Sequence, residues 1–234
     1  MHWFYVEKSQ ITEDTITLTG QDVNHIKNVL RMQTGEKLIL CDGEGTDYVC
    51  RLKEISKEEI LAEILEFSDS SSELPMKVTL FQGLPKKEKM EFIIQKAVAL
   101  GVYEIVPVQM KRCVMKLEDK KKEEKKLARW QAIAEAAAKQ SQRGIIPKIH
   151  PVVSFSEAID YAKTLEYRLL PYECSEGMEE ADRQIKRAVA AGSVGIFIGP
   201  EGGFDETEVA LAETADCHII SLRKRILRTE TAEI

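Results

Sequence analysis

Two short apolar strands near the carboxyl end each stop abruptly in a loop suited to main-chain contact. The first is Ile196-Phe197-Ile198, followed by Gly199-Pro200-Glu201-Gly202-Gly203-Phe204-Asp205. The second is Ile219-Ile220-Ser221, which leads to Arg225-Ile226-Leu227-Arg228-Thr229-Glu230-Thr231. Glycine at 199, 202 and 203 removes side chains that would hold a ligand off the peptide groups. Pro200 stiffens the loop, and Asp205 can cap a helix that begins near Glu206. Ligands of open α/β sheets bind just past the carboxyl ends of strands. Two such loops in one stretch of chain predict a single shared pocket.

Upstream, the rhythm of the chain changes once. Strand-like runs at 2–6, 15–18, 37–41, 47–55 and 59–67 are separated by turn signals such as Asp42-Gly43-Glu44-Gly45. One helix over 20–32 interrupts them, with Val23, Ile26, Val29 and Leu30 on one face. Short strands with one small helix suggest a small barrel over 1–70. Ser68-Asp69-Ser70-Ser71-Ser72-Glu73-Leu74-Pro75 reads as the linker. Beyond it, over 75–234, strands at 77–82, 103–108, 148–150, 167–171, 193–198 and 217–221 alternate with helices at 87–100, 127–142, 156–164, 178–191 and 206–214. That alternation implies an α/β fold with a mostly parallel sheet and helices on both faces.

The chain of 234 residues allows one or two domains. No apolar run approaches the ~20 residues needed to span a bilayer. Residues 1–8 lack a basic region and a long apolar stretch, so they read as a first strand and not a signal peptide. A cytoplasmic location is expected. The cysteines, at 41, 50, 113, 174 and 217, form no CxxC pair, which fits free thiols in a reducing compartment. Cys217-His218 reads as the start of a strand, so no metal site is expected.

Net charge is −6, against a globally basic nucleic-acid binder. Local charge differs. Lys111, Arg112, Lys116, Lys120, Lys121, Lys122, Lys125, Lys126 and Arg129 cluster, and local field governs encounter with an anion. A solvated helix face interleaved with Glu123 and Glu124 explains part of that run equally well.

The glycine loop is not a nucleotide loop of the usual kinds. There is no GxxxxGK[ST] and no GxGxxG. Glu201 would repel a pyrophosphate, so a neutral ligand or one with a positive centre suits the loop better. No GxSxG occurs, and with histidine only at 2, 25, 150 and 218 a catalytic triad is disfavoured. Arg223, Lys224, Arg225 and Arg228 crowd beside the second loop, where RNA phosphate would compensate them.

At these two loops the chain resembles the RsmE family of the SPOUT superfamily, methyltransferases of N3 of a uridine in small-subunit (16S) ribosomal RNA. The matching runs are Gly199-Pro200-Glu201-Gly202-Gly203 and Arg225-Ile226-Leu227-Arg228-Thr229-Glu230-Thr231-Ala232. Supporting matches include Gly83-Leu84-Pro85-Lys86, Ile94-Gln95-Lys96, Leu100-Gly101-Val102, Glu135-Ala136-Ala137, Tyr172-Glu173 and Phe4-Tyr5-Val6. They run in order along nearly the whole chain.

The resemblance implies a PUA-like, RNA-binding barrel followed by a SPOUT methyltransferase domain with a C-terminal trefoil knot. It implies S-adenosyl-L-methionine as methyl donor, ribosomal RNA of the small subunit as partner, alone or in the assembled particle, and a homodimer. No membrane partner and no metal are implied. The donor site would comprise Pro171, Glu173, Ile198, Gly199, Pro200, Glu201, Gly202 and Gly203 from the earlier strand ends. Ser221, Leu222, Arg225, Ile226, Leu227 and Thr229 would complete it. Arg228 would stabilise negative charge on the uracil ring, and Glu230 or Glu201 would take the N3 proton or orient the base. Arg31, Lys86, Lys89, Arg112, Lys116, Arg129 and Arg143 are the expected RNA-backbone contacts. The alternatives are a SPOUT methyltransferase acting on another RNA nucleoside and a non-catalytic RNA-binding protein.

Three features depart from the family pattern. Arg223 stands where glycine is usual, and Val98-Ala99 stands where Thr-Glu is common, so no catalytic weight rests on the latter pair. Relatives carry a further helix after the Thr-Glu-Thr-Ala run, so residues beyond Ile234 are expected.

Overall fold

The computed structural model describes residues 1–86, 89–115, 120–172 and 178–221. The chain divides into two compact units: Met1–Glu73 with Ala138–Ile146, and Leu74–Ala137 with Pro147–Ile234.

The first unit is built on five strands: β1 (His2–Tyr5), β2 (Thr15–Thr19), β3 (Lys37–Cys41), β4 (Thr46–Ile55) and β5 (Glu59–Asp69). Their order is β1-β3-β4-β5-β2. β1 runs parallel to β3, and the other pairs are antiparallel. Period-two patterning decides which side chains face inward. Ile16 with Leu18, Leu38 with Leu40, Cys50 with Leu52, and Ile60 with Ala62 enter one core.

The expected helix over 20–32 is shorter and wider than its pattern suggests. A single α-turn, α1 (Gln21–Asn24), passes into a π-turn over His25–Val29. The extra residue per turn rotates Val29 outward, and it is 64% exposed while Val23 and Ile26 remain in the core.

The segment 138–146 joins this first unit through polar contacts. The Tyr5 hydroxyl donates to the Arg143 carbonyl. Arg143 forks onto Glu73, and the Ile145 N–H donates to the same carboxylate at 3.1 Å.

The second unit carries β6 (Lys77–Gly83), β7 (Glu104–Gln109), β8 (Lys148–Ile149), β9 (Val153–Ser154), β10 (Tyr167–Pro171), β11 (Ser193–Ile198) and β12 (His218–Ile220). The order is β12-β10-β11-β6-β7-β8, with β9 also on β7, and every pairing is parallel. Its helices are α2 (Lys89–Ala99), α3 (Lys120–Ser141, of which residues 138–141 belong to the first unit), α4 (Phe155–Ala162), α5 (Met178–Val189) and α6 (Glu206–Thr214).

Met90, Ile93, Ile94, Ala97 and Val98 of α2 are buried, as their spacing predicts. Gly101 follows at φ +102, a conformation that lets the chain leave the helix without a Cβ clash. α3 begins earlier than the apolar pattern predicts, at Lys120, and so takes in the lysine run. Glu123 is part of the reason: its Oε1 accepts the Val152 N–H at 3.1 Å, which ties the first turn to the chain before β9. α4 and α6 both start on capping boxes, Ser154 with Glu157 and Asp205 with Glu208.

Among the described residues, no helix is long and apolar enough to cross a membrane.

Candidate functional site

Because the second sheet is wholly parallel, its strands finish along one edge. β10, β11 and β12 end there at Pro171, Ile198 and Ile220, with β10 between the other two. Pro171 is in register with Ile220, and the Tyr172 N–H donates to the Ile220 carbonyl at 2.9 Å. With strands about 4.8 Å apart, the exits of β11 and β12 lie about 10 Å from each other. Pro171, Ile198, Gly199 and Ser221, all expected at the donor site, therefore gather at one sheet edge. The expected residues Glu173, Leu222, Arg225, Ile226, Leu227, Arg228, Thr229, Glu230 and Lys116 lie outside the described residues, as do Arg223 and the residues of the implied knot from 222 on.

The loop after β11 is a tight turn, closed by the Gly203 N–H on the Pro200 carbonyl at 2.9 Å. Its glycines serve different ends. At Gly203 φ is +68, and a Cβ there would meet nothing within 4 Å. At Gly202 a Cβ would sit 3.0 Å from Arg112 Cβ, and at Gly199 3.2 Å from the Phe204 ring. The missing side chain at Gly199 and at Gly202 thus leaves room for protein, and at Gly203 it leaves open space. The other two admit the protein's own neighbours, which fixes the loop closely against its support. Gly83, at the end of β6, does the same from below: a Cβ would lie 2.7 Å from Pro200 Cδ and 2.8 Å from Pro200 N.

Charge braces the same loop from two sides. On one side the Glu201 carboxylate accepts the Lys86 N–H at 3.0 and 3.2 Å, and Lys89 Nζ lies 3.2 Å away. Burial opposes ionisation of Glu201, but its own N–H, the Lys86 N–H and the Lys89 ammonium outweigh that and hold its pKa below the usual range. On the other side Arg112 Nη1 donates to the Gly202 carbonyl at 3.2 Å, and its Nη2 lies 3.9 Å from Asp205. Lys111 Nζ reaches Asp205 at 3.3 Å and also the Thr207 hydroxyl. The Thr207 hydroxyl and N–H, with Lys111, bring the Asp205 pKa down to about 2.

Glu208 completes the brace, and the sequence reading misses it. It is buried, and its two oxygens accept the Lys111 N–H at 2.8 Å and the Asp205 N–H at 2.9 Å. The Asp-x-x-Glu spacing of a capping box is the signal that marks it.

The expected RNA contacts do not form one group. Lys86, Lys89 and Arg112 stand at the glycine loop, as just described. Arg129 is exposed on α3 and pairs with Glu91 of α2 through two bonds of 2.8 and 2.9 Å. Arg31 is exposed in the first unit, at φ +54. Arg143 is only 2% exposed, and its guanidinium faces Glu73 and not solvent. Among the described residues no group of three His, Cys, Asp or Glu side chains could hold a metal ion.

Peptide groups, apolar strand ends and an open face at Gly203 suit a ligand held mainly by main chain. S-Adenosylmethionine, an adenosine bearing a sulfonium, has that chemistry.

Comparison with known proteins gives the same answer. Residues 72–234 match the model of an RNA methyltransferase domain, and residues 18–65 that of an RNA methyltransferase PUA domain. The chain is 39% identical over 240 residues to the ribosomal RNA small subunit methyltransferase E of Bacillus subtilis, covering 100% of this chain and 93% of that protein. The protein of the same name from Mesomycoplasma hyopneumoniae is 36% identical, with 100% and 96% covered. A crystal structure of the Neisseria gonorrhoeae ribosomal RNA small subunit methyltransferase E, bound to S-adenosyl methionine, superposes with a TM-score of 0.80 at 33% identity, covering 100% of this chain and 93% of that one. A methyltransferase domain, a PUA domain and relatives matched from end to end leave one assignment: the chain belongs to the ribosomal RNA small subunit methyltransferase E family.

Proposed function

We propose that this protein transfers a methyl group from S-adenosyl-L-methionine to N3 of one uridine in small-subunit ribosomal RNA. The observation that carries the reading is the convergence of the β10, β11 and β12 exits beside a braced glycine loop. Family membership supplies the RNA class, and the motifs at 199–203 and 225–232 resemble those of uridine N3 methyltransferases.

The donor, when bound, supplies a methyl group activated by its sulfonium. The chain's part is to hold it and to prepare the acceptor. Pro171, Ile198, the peptide groups of 199–203 and Ser221 are assigned to the donor, with Glu173, Leu222, Arg225, Ile226, Leu227 and Thr229 completing the pocket. Uridine N3 must lose its proton before or during attack, and a positioned base contributes roughly 10²–10⁴-fold. We assign Glu230 to that proton or to orienting the base, and Arg228 to the negative charge that develops on the uracil carbonyls.

The barrel over 1–70 is assigned to RNA binding and 75–234 to methyl transfer. Arg31, Lys86, Lys89, Arg112, Lys116 and Arg129 are the assigned backbone contacts, and Arg143 is given a structural role because it is buried against Glu73. A cytoplasmic homodimer is the proposed working form, and the free RNA and the assembled particle are the two proposed substrate forms.

Tritiated-methyl transfer to small-subunit RNA, with and without ribosomal proteins, tests this. Label at N3 of a single uridine is the expected result. Label on another nucleoside would replace the target, and donor binding without transfer to any RNA would leave a binding protein.

A further inference from the structure

We propose that Glu201 is a positioning residue, a clip that fixes the glycine loop to the segment after β6, and not the base that accepts the N3 proton. This rests on the reading above, and it assigns one of that site's two candidate carboxylates.

The geometry gives the clip three points. Both Glu201 oxygens face the Lys86 N–H, at 3.0 and 3.2 Å, and Lys89 Nζ lies 3.2 Å from Oε1. Lys86 lies three residues past Gly83, the glycine whose missing Cβ lets Pro200 approach. Close approach at Gly83–Pro200 and a main-chain hydrogen bond at Lys86–Glu201 therefore join the same two loops, one residue apart on the glycine loop. β6 and β11 are neighbours in register, Gln82 opposite Ile198, so the clip spans adjacent strand exits.

A base needs a free lone pair directed at the proton and a pKa near the working pH. Glu201 meets neither condition. Its lone pairs already accept a main-chain donor and an ammonium, and those donors favour its charged form. A proton on either oxygen would cancel the charge that holds Lys89 and so weaken the hold on the turn that carries Gly202 and Gly203. The arrangement serves a different end: an ionised carboxylate holds main-chain groups in place before the ligand arrives, so ordering costs are met in the free protein.

Hydrogen exchange and calorimetry on the full chain, with S-adenosylmethionine as the probe, test the clip. Glu201→Gln removes the charge and keeps the shape, and Lys89→Gln opens the clip from the other side. In donor-free protein both variants should exchange the amides of 199–205 at least several-fold faster. Donor affinity should fall about tenfold in each, the size of one charged hydrogen bond at a partly exposed site. The double variant should fall no further than either single, as expected for one shared interaction. Glu201→Asp, which keeps the charge, should recover part of the affinity. At saturating donor and RNA, the pH profile of kcat for Glu201→Gln should keep its shape.

Unchanged exchange, or unchanged donor affinity, overturns the clip. Loss of the acid limb of the kcat profile in Glu201→Gln also overturns it, whatever the affinity does, because only a titrating base produces that change. If the unaltered protein binds no donor, the functional reading falls separately, and the exchange comparison alone decides the clip. Should Glu201→Gln fail to fold, Lys89→Gln and Glu201→Asp carry the same comparison.

Discussion

Glu104 Oε2, at the first residue of β7, lies 2.7 Å from His150 Nε2. Thr79 donates to the other Glu104 oxygen at 2.8 Å, as does the Tyr161 hydroxyl. Burial opposes ionisation of this carboxyl, yet the bonds from His150, Tyr161 and Thr79 outweigh it and bring its pKa from 4.5 down to about 2. A group with a lowered folded pKa contributes stability above its unfolded value and loses it as pH falls through the folded one. The stabilisation from Glu104 should therefore be complete above pH 4.5 and vanish on approach to pH 2. It amounts to about 3 kcal/mol. Urea midpoints measured across that window should fall steeply in the unaltered protein and much less in Glu104→Gln.

Arg143 and Glu73 form an ion pair in which both side chains are largely buried, at 3% and 16% exposure. Removing one partner leaves the other charge without compensation, which costs about 3–5 kcal/mol. Arg143→Met should thus lower the thermal midpoint sharply, and Arg143→Met with Glu73→Leu should recover much of the loss. The effect should be insensitive to salt, because water and ions reach the pair poorly. Equal losses in the single and double variants would contradict this account.

Gly83 and Gly203 should respond to alanine for different reasons. At Gly83 the new Cβ would meet Pro200 main chain at 2.8 Å, so the glycine loop must move. Overpacking of this kind costs about 1–3 kcal/mol. Donor affinity, read by calorimetry, should drop with it. At Gly203 the Cβ meets open space, and only the positive φ is penalised, by about 1 kcal/mol. Gly203→Ala should lower the melting temperature slightly, and any larger loss of donor affinity would show that the ligand fills that space.

RNA binding should weaken steeply with salt. Each neutralised phosphate contributes a slope on the order of −0.7 to −0.9 in log affinity against log salt. Arg129→Ala should reduce that slope by about one phosphate's worth, provided RNA displaces Glu91 from the guanidinium. Arg143→Lys should leave the slope unchanged, since its guanidinium is buried. Filter binding over a salt series checks both.

Strand positions were legible in the sequence because period-two and continuous apolar runs state which faces are buried. The bounds of β3, β10, β11 and α6 match their expected ranges. Local chemistry was legible too: Asp205 caps α6 because Asp followed three residues later by Glu supplies both halves of a capping box. The turn at His25–Val29 was not legible, because one residue more per turn leaves the apolar spacing almost unchanged and only packing reveals that Val29 faces out. Cation roles were hidden for a similar reason. Composition marks Arg112, Arg129 and Arg143 as equivalent, but their partners, Gly202 with Asp205, Glu91 and Glu73, come from distant parts of the chain.

The sequence by itself determined the family and the fold class, since those depend on residue types in fixed local order. Tertiary structure alone decided what the glycines and charges of the loop after β11 pack against. Gly199 and Gly202 accommodate protein, Gly203 leaves space, and Glu201 is held by Lys86 and Lys89. The physical reason is that a side chain's role follows from its nearest neighbours in space, and strand order, not sequence distance, chooses those neighbours.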